Sequence, residues 1–159
     1  DWGNSESLKI YHDPETRRNS ITYRTNLARL MNQQIKEGQN EKAKNIIDLA
    51  MTKMPLEQYG YYSLLEPFAD GYYKIGDKDK AHQLLDQLIH KYQENLNYYG
   101  KMKASDQSSI ATPIIIDIER YRSLLHTMKD NEDMEFYNKH KIAFNTYIKM
   151  FERFERDLE

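Results

Sequence analysis

Lys36-Glu37-Gly38-Gln39-Asn40-Glu41-Lys42-Ala43 is answered, 38 residues on, by Lys74-Ile75-Gly76-Asp77-Lys78-Asp79-Lys80-Ala81. The echo widens at the same offset: Ile46, Ile47 and Asp48 correspond to Leu84, Leu85 and Asp86, and Lys53 to Lys91. Each block sets a glycine between two helix-compatible stretches, where a left-handed residue stops a helix. An alanine follows within the second stretch. A fixed internal period of this size marks stacked copies of one supersecondary unit. Arrays of that kind present surfaces to other proteins more often than they carry chemistry.

Outward from the repeat, the chain reads as helical. Ser20 can cap a first helix with Tyr23, Leu27, Leu30, Met31 and Ile35 on one face, ending at Gly38. Asn40 can cap a second, with Ala43, Ile46, Ile47 and Ala50 inward and Pro55 beyond its end. The second hairpin repeats the plan. Leu64, Leu65, Phe68, Ala69, Tyr72 and Ile75 form its first stripe, and Ala81, Leu84, Leu85, Leu88 and Tyr92 its second, with no breaker before Gly100. Residues 104–112 read as a polar loop, and Thr112-Pro113 as a cap with proline at the first helical position. Ile114, Ile118, Tyr121, Leu125 and Met128 face inward on a fifth helix. A sixth runs from about Asp133 to the end, with Met134, Tyr137, Phe144, Ile148, Phe151 and Leu158 beside Phe136, His140, Ala143, Tyr147, Met150 and Phe154 in one wide apolar arc.

The expected fold is therefore all-α: three antiparallel hairpins, at 20–55, 60–103 and 112–159, forming a single domain over 20–159. Residues 1–19 read as an irregular segment, rich in turn formers (Gly3, Asn4, Ser5, Asp13, Pro14) and pinned to the body by Trp2, Ile10 and Tyr11.

Composition narrows the function. A formal net charge of −2 supplies no broad basic field for nucleic acid or anionic lipid. Apolar runs are no longer than Ile114-Ile115-Ile116, far short of a bilayer span. Cysteine is absent, which excludes disulfides, thiolate metal sites and a cysteine nucleophile. The 13 tyrosines suit half-buried helix surfaces and contact faces. The opening at Asp1, without methionine or leader, reads as a piece excised from a longer protein.

With Leu27, Gly38, Ala43, Ala50 and Pro55 in the first copy and Leu65, Phe68, Ala69, Tyr72, Gly76 and Ala81 in the second, the hairpins resemble tetratricopeptide repeats. Met31 and Gln34, and later Leu88 and Gln93, depart from the usual small, aromatic and proline residues. The period exceeds the common one of about 34 by about four residues, which fall in the Pro55–Tyr61 connection. The third hairpin lacks the signature and acts as a divergent cap.

A second resemblance covers nearly the whole chain. It rests on Asp1-Trp2-Gly3-Asn4, Tyr11-His12-Asp13, Arg17-Arg18 and Tyr23-Arg24-Thr25-Asn26-Leu27-Ala28, followed by the Gly38 hairpin and Pro55. In these the chain resembles the C-terminal soluble region of a family of multi-spanning membrane proteins from Bacteroidetes, itself similar to transmembrane protein O-mannosyltransferases. The resemblance implies an extramembrane helical appendage on the periplasmic side, tethered to the inner membrane, of an enzyme using a lipid-linked sugar donor. Its catalytic segment has no counterpart here.

No catalytic, cofactor or metal constellation is expected. Gly76-Asp77-Lys78-Asp79-Lys80 lacks the further glycines and bidentate glutamate of phosphate or calcium loops and reads as a helix turn with a cap. His82 and His90 are too far apart to share a metal, His12-Asp13 with Glu15 reads as a turn with an exposed histidine, and Asp130, Glu132 and Asp133 suit a helix start. The groove side of each first helix is the better candidate: Thr25, Ala28, Asn32, Ile35 and Lys36, then Ser63, Glu66, Asp70, Tyr73 and Lys74. Asn32, Lys36, Tyr73 and Lys74 can hydrogen-bond an extended peptide, while Glu66 and Asp70 prefer a basic one. Ala28 and Pro67 replace polar residues of the lysine/asparagine carboxylate clamp, which argues against a chaperone-tail adaptor. The expected function is a non-catalytic, protein-interaction domain of a membrane-bound glycosyltransferase, with a protein or peptide as partner, the membrane domain of the same chain being one candidate. The alternative is a free-standing peptide-binding adaptor.

Overall fold

The computed structural model describes residues 4, 5, 7 and 9–155, with no strand among them. Asp1-Trp2-Gly3, Arg156 and Leu158 lie outside the described residues, and with them the anchoring expected of Trp2. Contacts divide the chain into two compact units, Asp1–Leu84 and Leu85–Glu159.

In the first unit α1 spans Pro14–Lys36 and so begins well before the expected Ser20. Asp13 and Pro14, read as part of an irregular segment, are a cap and a first helical residue. Asp13 Oδ1 accepts from the N–H groups of Glu15 at 2.9 Å and Thr16 at 3.0 Å. The inward face also differs from expectation. It carries Ser20, Arg24, Ala28 and Met31, while Tyr23 and Leu30 stand 56% and 49% exposed. The rotation follows from Arg24, whose guanidinium is fully buried among backbone carbonyls. Nη2 donates to Met54 O at 2.7 Å, and Nη1 to Gly60 O at 2.5 Å and, weakly, to Tyr61 O at 3.4 Å. Burial lowers its pKa to about 10, which leaves it charged at neutral pH.

Gly38, at φ +71°, ends α1 as expected. Next comes α2, Asn40–Lys53, buried at Ala43, Ile47 and Ala50. Its cap position is Gln39, without a side-chain cap bond, so Asn40 is already helical and does not cap as expected. The Pro55–Tyr61 connection is not bare. It holds the short helix α3, Leu56–Tyr59, then Gly60 and Tyr61 with positive φ, and leads into a 3-10 turn at Tyr62–Leu64. Arg24 bonds to both ends of it. His12, expected to be exposed, is half-buried and packs on Tyr59 with ring centroids 4.6 Å apart.

Helix α4, Glu66–Lys74, packs on both α1 and α2. The approach is close at Gly71, where a Cβ would lie 2.4 Å from Met31 Sδ and 3.1 Å from Ile47 Cδ1. Gly76, at φ +84°, turns the chain into α5, Lys78–Gly100. Ala43 and Ala81, the alanines of the two echoing blocks, are fully buried.

In the second unit, α5 buries Leu85, Leu88, Ile89, Tyr92 and Leu96. The expected polar loop over 104–112 contains helix α6, Ala104–Ser109. Ser108 and Ser109 hydroxyls turn back onto the carbonyls of Ala104 and Ser105, and the Gln107 amide donates to Tyr99 O and Met102 O beyond it. Helix α7, Ala111–Asp130, starts before Thr112-Pro113, so that pair occupies its first turn and not the cap. Its buried residues include Ile114, Ile118, Tyr121, Leu125 and Met128, as expected. Helix α8, Met134–Met150, does not run to the end: the chain breaks at Phe151 and resumes as α9, Glu152–Glu155. Phe136, His140, Phe144 and Tyr147 are buried, as are Phe151 and Phe154, while Met134 and Met150 of the expected arc are exposed. An arc that wide exceeds the side one neighbouring helix can cover, and the break re-aims its far end.

Candidate functional site

The groove residues come from two helices that the fold places in contact, α1 and α4. On α1, Asn32 and Ile35 are half-buried and Lys36 is exposed in the last turn. Ala28, expected among them, is buried instead, a consequence of the rotation that takes Arg24 inside. On α4, Glu66 and Asp70 are half-buried, and Asp70 pairs with Lys74 one turn on. The Tyr73 ring meets His82 of α5 edge-on, with centroids 6.1 Å apart. The α4 set is thus held by its own neighbours, while Asn32 and Lys36 stand on the adjoining helix.

A polar seam that residue spacing does not reveal joins α2 to α4 and α5. Asp48 Oδ1 accepts from Tyr72 Oη at 2.9 Å and from Lys80 Nζ at 2.7 Å, tying α2 to both helices of the next hairpin. Partial burial works to raise the Asp48 carboxyl. The Lys80 and Tyr72 hydrogen bonds, with the Lys80 and Lys44 charges, outweigh it and hold the group below its ordinary value of 3.8. The same arrangement pushes the Tyr72 hydroxyl well up, first by burial and then by its bond to Asp48. Lys44 Nζ lies 3.4 Å from Asp77 Oδ2, and Asp77 also accepts from the Lys80 N–H at 3.4 Å. The Gly76–Lys80 segment is therefore a turn and cap, as its composition suggests. Beside it lies an open, mostly polar cleft of about 300 Å³ lined by Asn40, Glu41, Lys44 and residues 75–79.

Asp86, the repeat counterpart of Asp48, lies in the second unit with Oδ1 3.0 Å from Nε2 of the buried His140 on α8. The echo of Asp48 in Asp86 was the signal for both contacts. In the same unit Tyr121 accepts from the Gln93 amide at 2.9 Å, and burial pushes its hydroxyl up to about 12. Asp117 accepts from Asn95 at 2.9 Å and Tyr99 at 3.2 Å. A cleft of about 210 Å³ opens between α7 and α8, where Arg122 and Lys141 lie over the rings of Phe144 and Tyr137. His90 sits 3.1 Å from Glu94 on its own helix, apart from His82.

Among the described residues, no three His, Asp or Glu side chains gather as a metal site requires, and no helix is long and apolar enough to cross a membrane. No family model, curated protein or solved structure matches the chain.

Proposed function

We propose that this chain is a non-catalytic, tetratricopeptide-like interaction domain, built of stacked hairpins. The observation that carries the reading is the seam at Asp48, which accepts from Tyr72 and Lys80 of the next hairpin, while its repeat counterpart Asp86, 38 residues on, lies 3.0 Å from His140 of α8. Gly71 against Met31 and Ile47, and the buried Ala43 and Ala81, supply the small-residue crossings such stacks need. The face of Asn32, Lys36, Glu66, Asp70, Tyr73 and Lys74 is the surface that receives a peptide. In keeping with the resemblance carried by Tyr23-Arg24 and Pro55, the domain serves a membrane-bound, O-mannosyltransferase-like glycosyltransferase. It does so from the periplasmic side, packing on the membrane part or presenting acceptors to it.

The test has two arms. Purified chain is incubated with lipid-linked sugar donors and acceptor peptides, with no turnover expected; robust transfer or hydrolysis refutes the reading. The gene upstream of Asp1 is then read. Several apolar stretches long enough to span a bilayer support the membrane enzyme, whereas a start codon or leader immediately upstream favours a free-standing adaptor.

A further inference from the structure

The 38-residue correspondence has a spatial meaning that differs between the two copies. Leu65, Phe68 and Leu84 are at most 5% exposed, on helices tied to the preceding hairpin through Gly71, Tyr72 and Lys80. Their counterparts 38 residues earlier are Leu27, Leu30 and Ile46. These are just as apolar, yet Leu30 is 49% exposed and the other two are only half-buried. By the helical period Tyr23 continues the α1 side and Leu49 the α2 side, at 56% and 37% exposure. The polar part of the seam persists too. Lys80, which reaches Asp48, corresponds to the exposed Lys42, and Tyr72 corresponds to Gln34, whose Oε1 is buried without a hydrogen-bond partner.

We infer that this outer side of the first hairpin, Tyr23, Leu27 and Leu30 with Ile46 and Leu49, is a docking face for another helical hairpin that carries a carboxylate on its second helix. Three of them, Leu27, Leu30 and Ile46, correspond to Leu65, Phe68 and Leu84, which are buried in the second copy. Lys42 stands where a carboxylate placed like Asp48 would meet it. The occupant is thus defined by shape and charge: two antiparallel helices with an acid at the level of Lys42. The inference rests on the repeat reading above.

The chain contains no cysteine, so Leu30→Cys creates a single reporter thiol. In the chain as it stands, a maleimide should label it within about tenfold of the rate for a free thiol, as an exposed site does. The probe hairpin is the chain's own: residues 24–61 are duplicated in tandem, giving 1–61 followed by 24–159. The reporter in the downstream copy then faces the upstream copy's α2. Labelling there should slow by about 100-fold, the protection of a packed position, and Asp48→Ala in the upstream copy should restore part of the rate. A duplicated chain that keeps its helical signal but labels fast overturns the docking face and leaves the repeat reading standing. A duplicated chain that loses its helical signal counts against the repeat reading. The face is then judged on Leu30→Lys with Leu49→Lys in the unduplicated chain. An unchanged melting temperature supports a face open to a partner, and a marked fall overturns it. Slow labelling of the unduplicated chain that speeds up on dilution also overturns it, by showing that a second copy already covers the face.

Discussion

Replacing Arg24 by methionine removes the one charged side chain among the described residues of the first unit that is wholly enclosed, while keeping most of its apolar stem. Two short, charge-assisted hydrogen bonds disappear, to Met54 O and Gly60 O. Leaving a buried carbonyl without a donor costs about 1–3 kcal/mol, so the two together cost about 2–6 kcal/mol. Against this, the guanidinium no longer has to be stripped of water, a penalty of several kcal/mol in a dry site. Carbonyl oxygens in close contact offset most but not all of that penalty, since the guanidinium pKa falls to about 10. The balance is a net loss of about 3 kcal/mol, which for a unit of this size lowers the melting temperature by about 12–24 °C. Because the chain has two compact units, a single melting curve can blur the effect. Amide hydrogen exchange at Met54, Tyr59 and Gly60 reads it directly. Their hydrogen bonds close the end of α2 and the α3 turn, so their protection should drop further than that of Leu124 or Leu125 in the second unit. Arg24→Lys should fall in between, because one ammonium cannot span both carbonyls. If Arg24→Met melts within about 2 °C of the parent, where a loss of about 3 kcal/mol was expected, the arginine is not the organiser of this connection.

Gly71→Ala should destabilise by about 1–2 kcal/mol in urea unfolding, because its Cβ lands on buried Met31 and Ile47. The double variant with Met31→Ala should show a favourable coupling term. Gly100→Ala, whose Cβ meets the thioether of the half-exposed Met150, should stay within about 0.5 kcal/mol of the parent, since that side chain is free to swing out. Asp48 binds its proton less tightly folded than unfolded, so its contribution is complete above the ordinary value of 3.8 and lost as pH falls through the lowered folded value. Asp48→Asn should flatten that acid limb in a pH series of melting temperatures; an unchanged limb would place the stabilising carboxylate elsewhere. Asp13→Ala should fray the first turn of α1, seen as lost exchange protection at Arg17. In the parent the same fraying should set in as acid protonates the Asp13 carboxylate, which its bonds with Thr16 hold below the ordinary range.

The hairpin turns and much of the core could be read from residue spacing. Gly38 and Gly76 take the left-handed conformation a helix stop requires, and Ile114, Ile118, Tyr121, Leu125 and Met128 keep the spacing of one buried side. Local patterns failed where the deciding partner lay far along the chain. Arg24 looks like a surface residue until the carbonyls of Met54 and Gly60 are brought to it, and its entry turns Tyr23 and Leu30 outward. The start of α1 is ambiguous in sequence because Asp and Pro serve turns and helix caps equally well. The 104–112 stretch has the polar composition of a loop, yet Ser108 and Ser109 bond back within a helix. Of the candidate groove, neither the burial of Ala28 nor the ring contact between Tyr73 and His82 is legible from spacing. Nor is the role of Asp48, although its twin Asp86 is visible from the start.

The bond pattern of Arg24 reaches beyond stability. The detour from Met54 to Tyr61 and the side chain that ties it off are coupled, since Arg24 supplies donors to the carbonyls at both of its ends. Descendants that shorten this detour should exchange the arginine for an aliphatic residue in the same step, and chains that keep the arginine should keep the length.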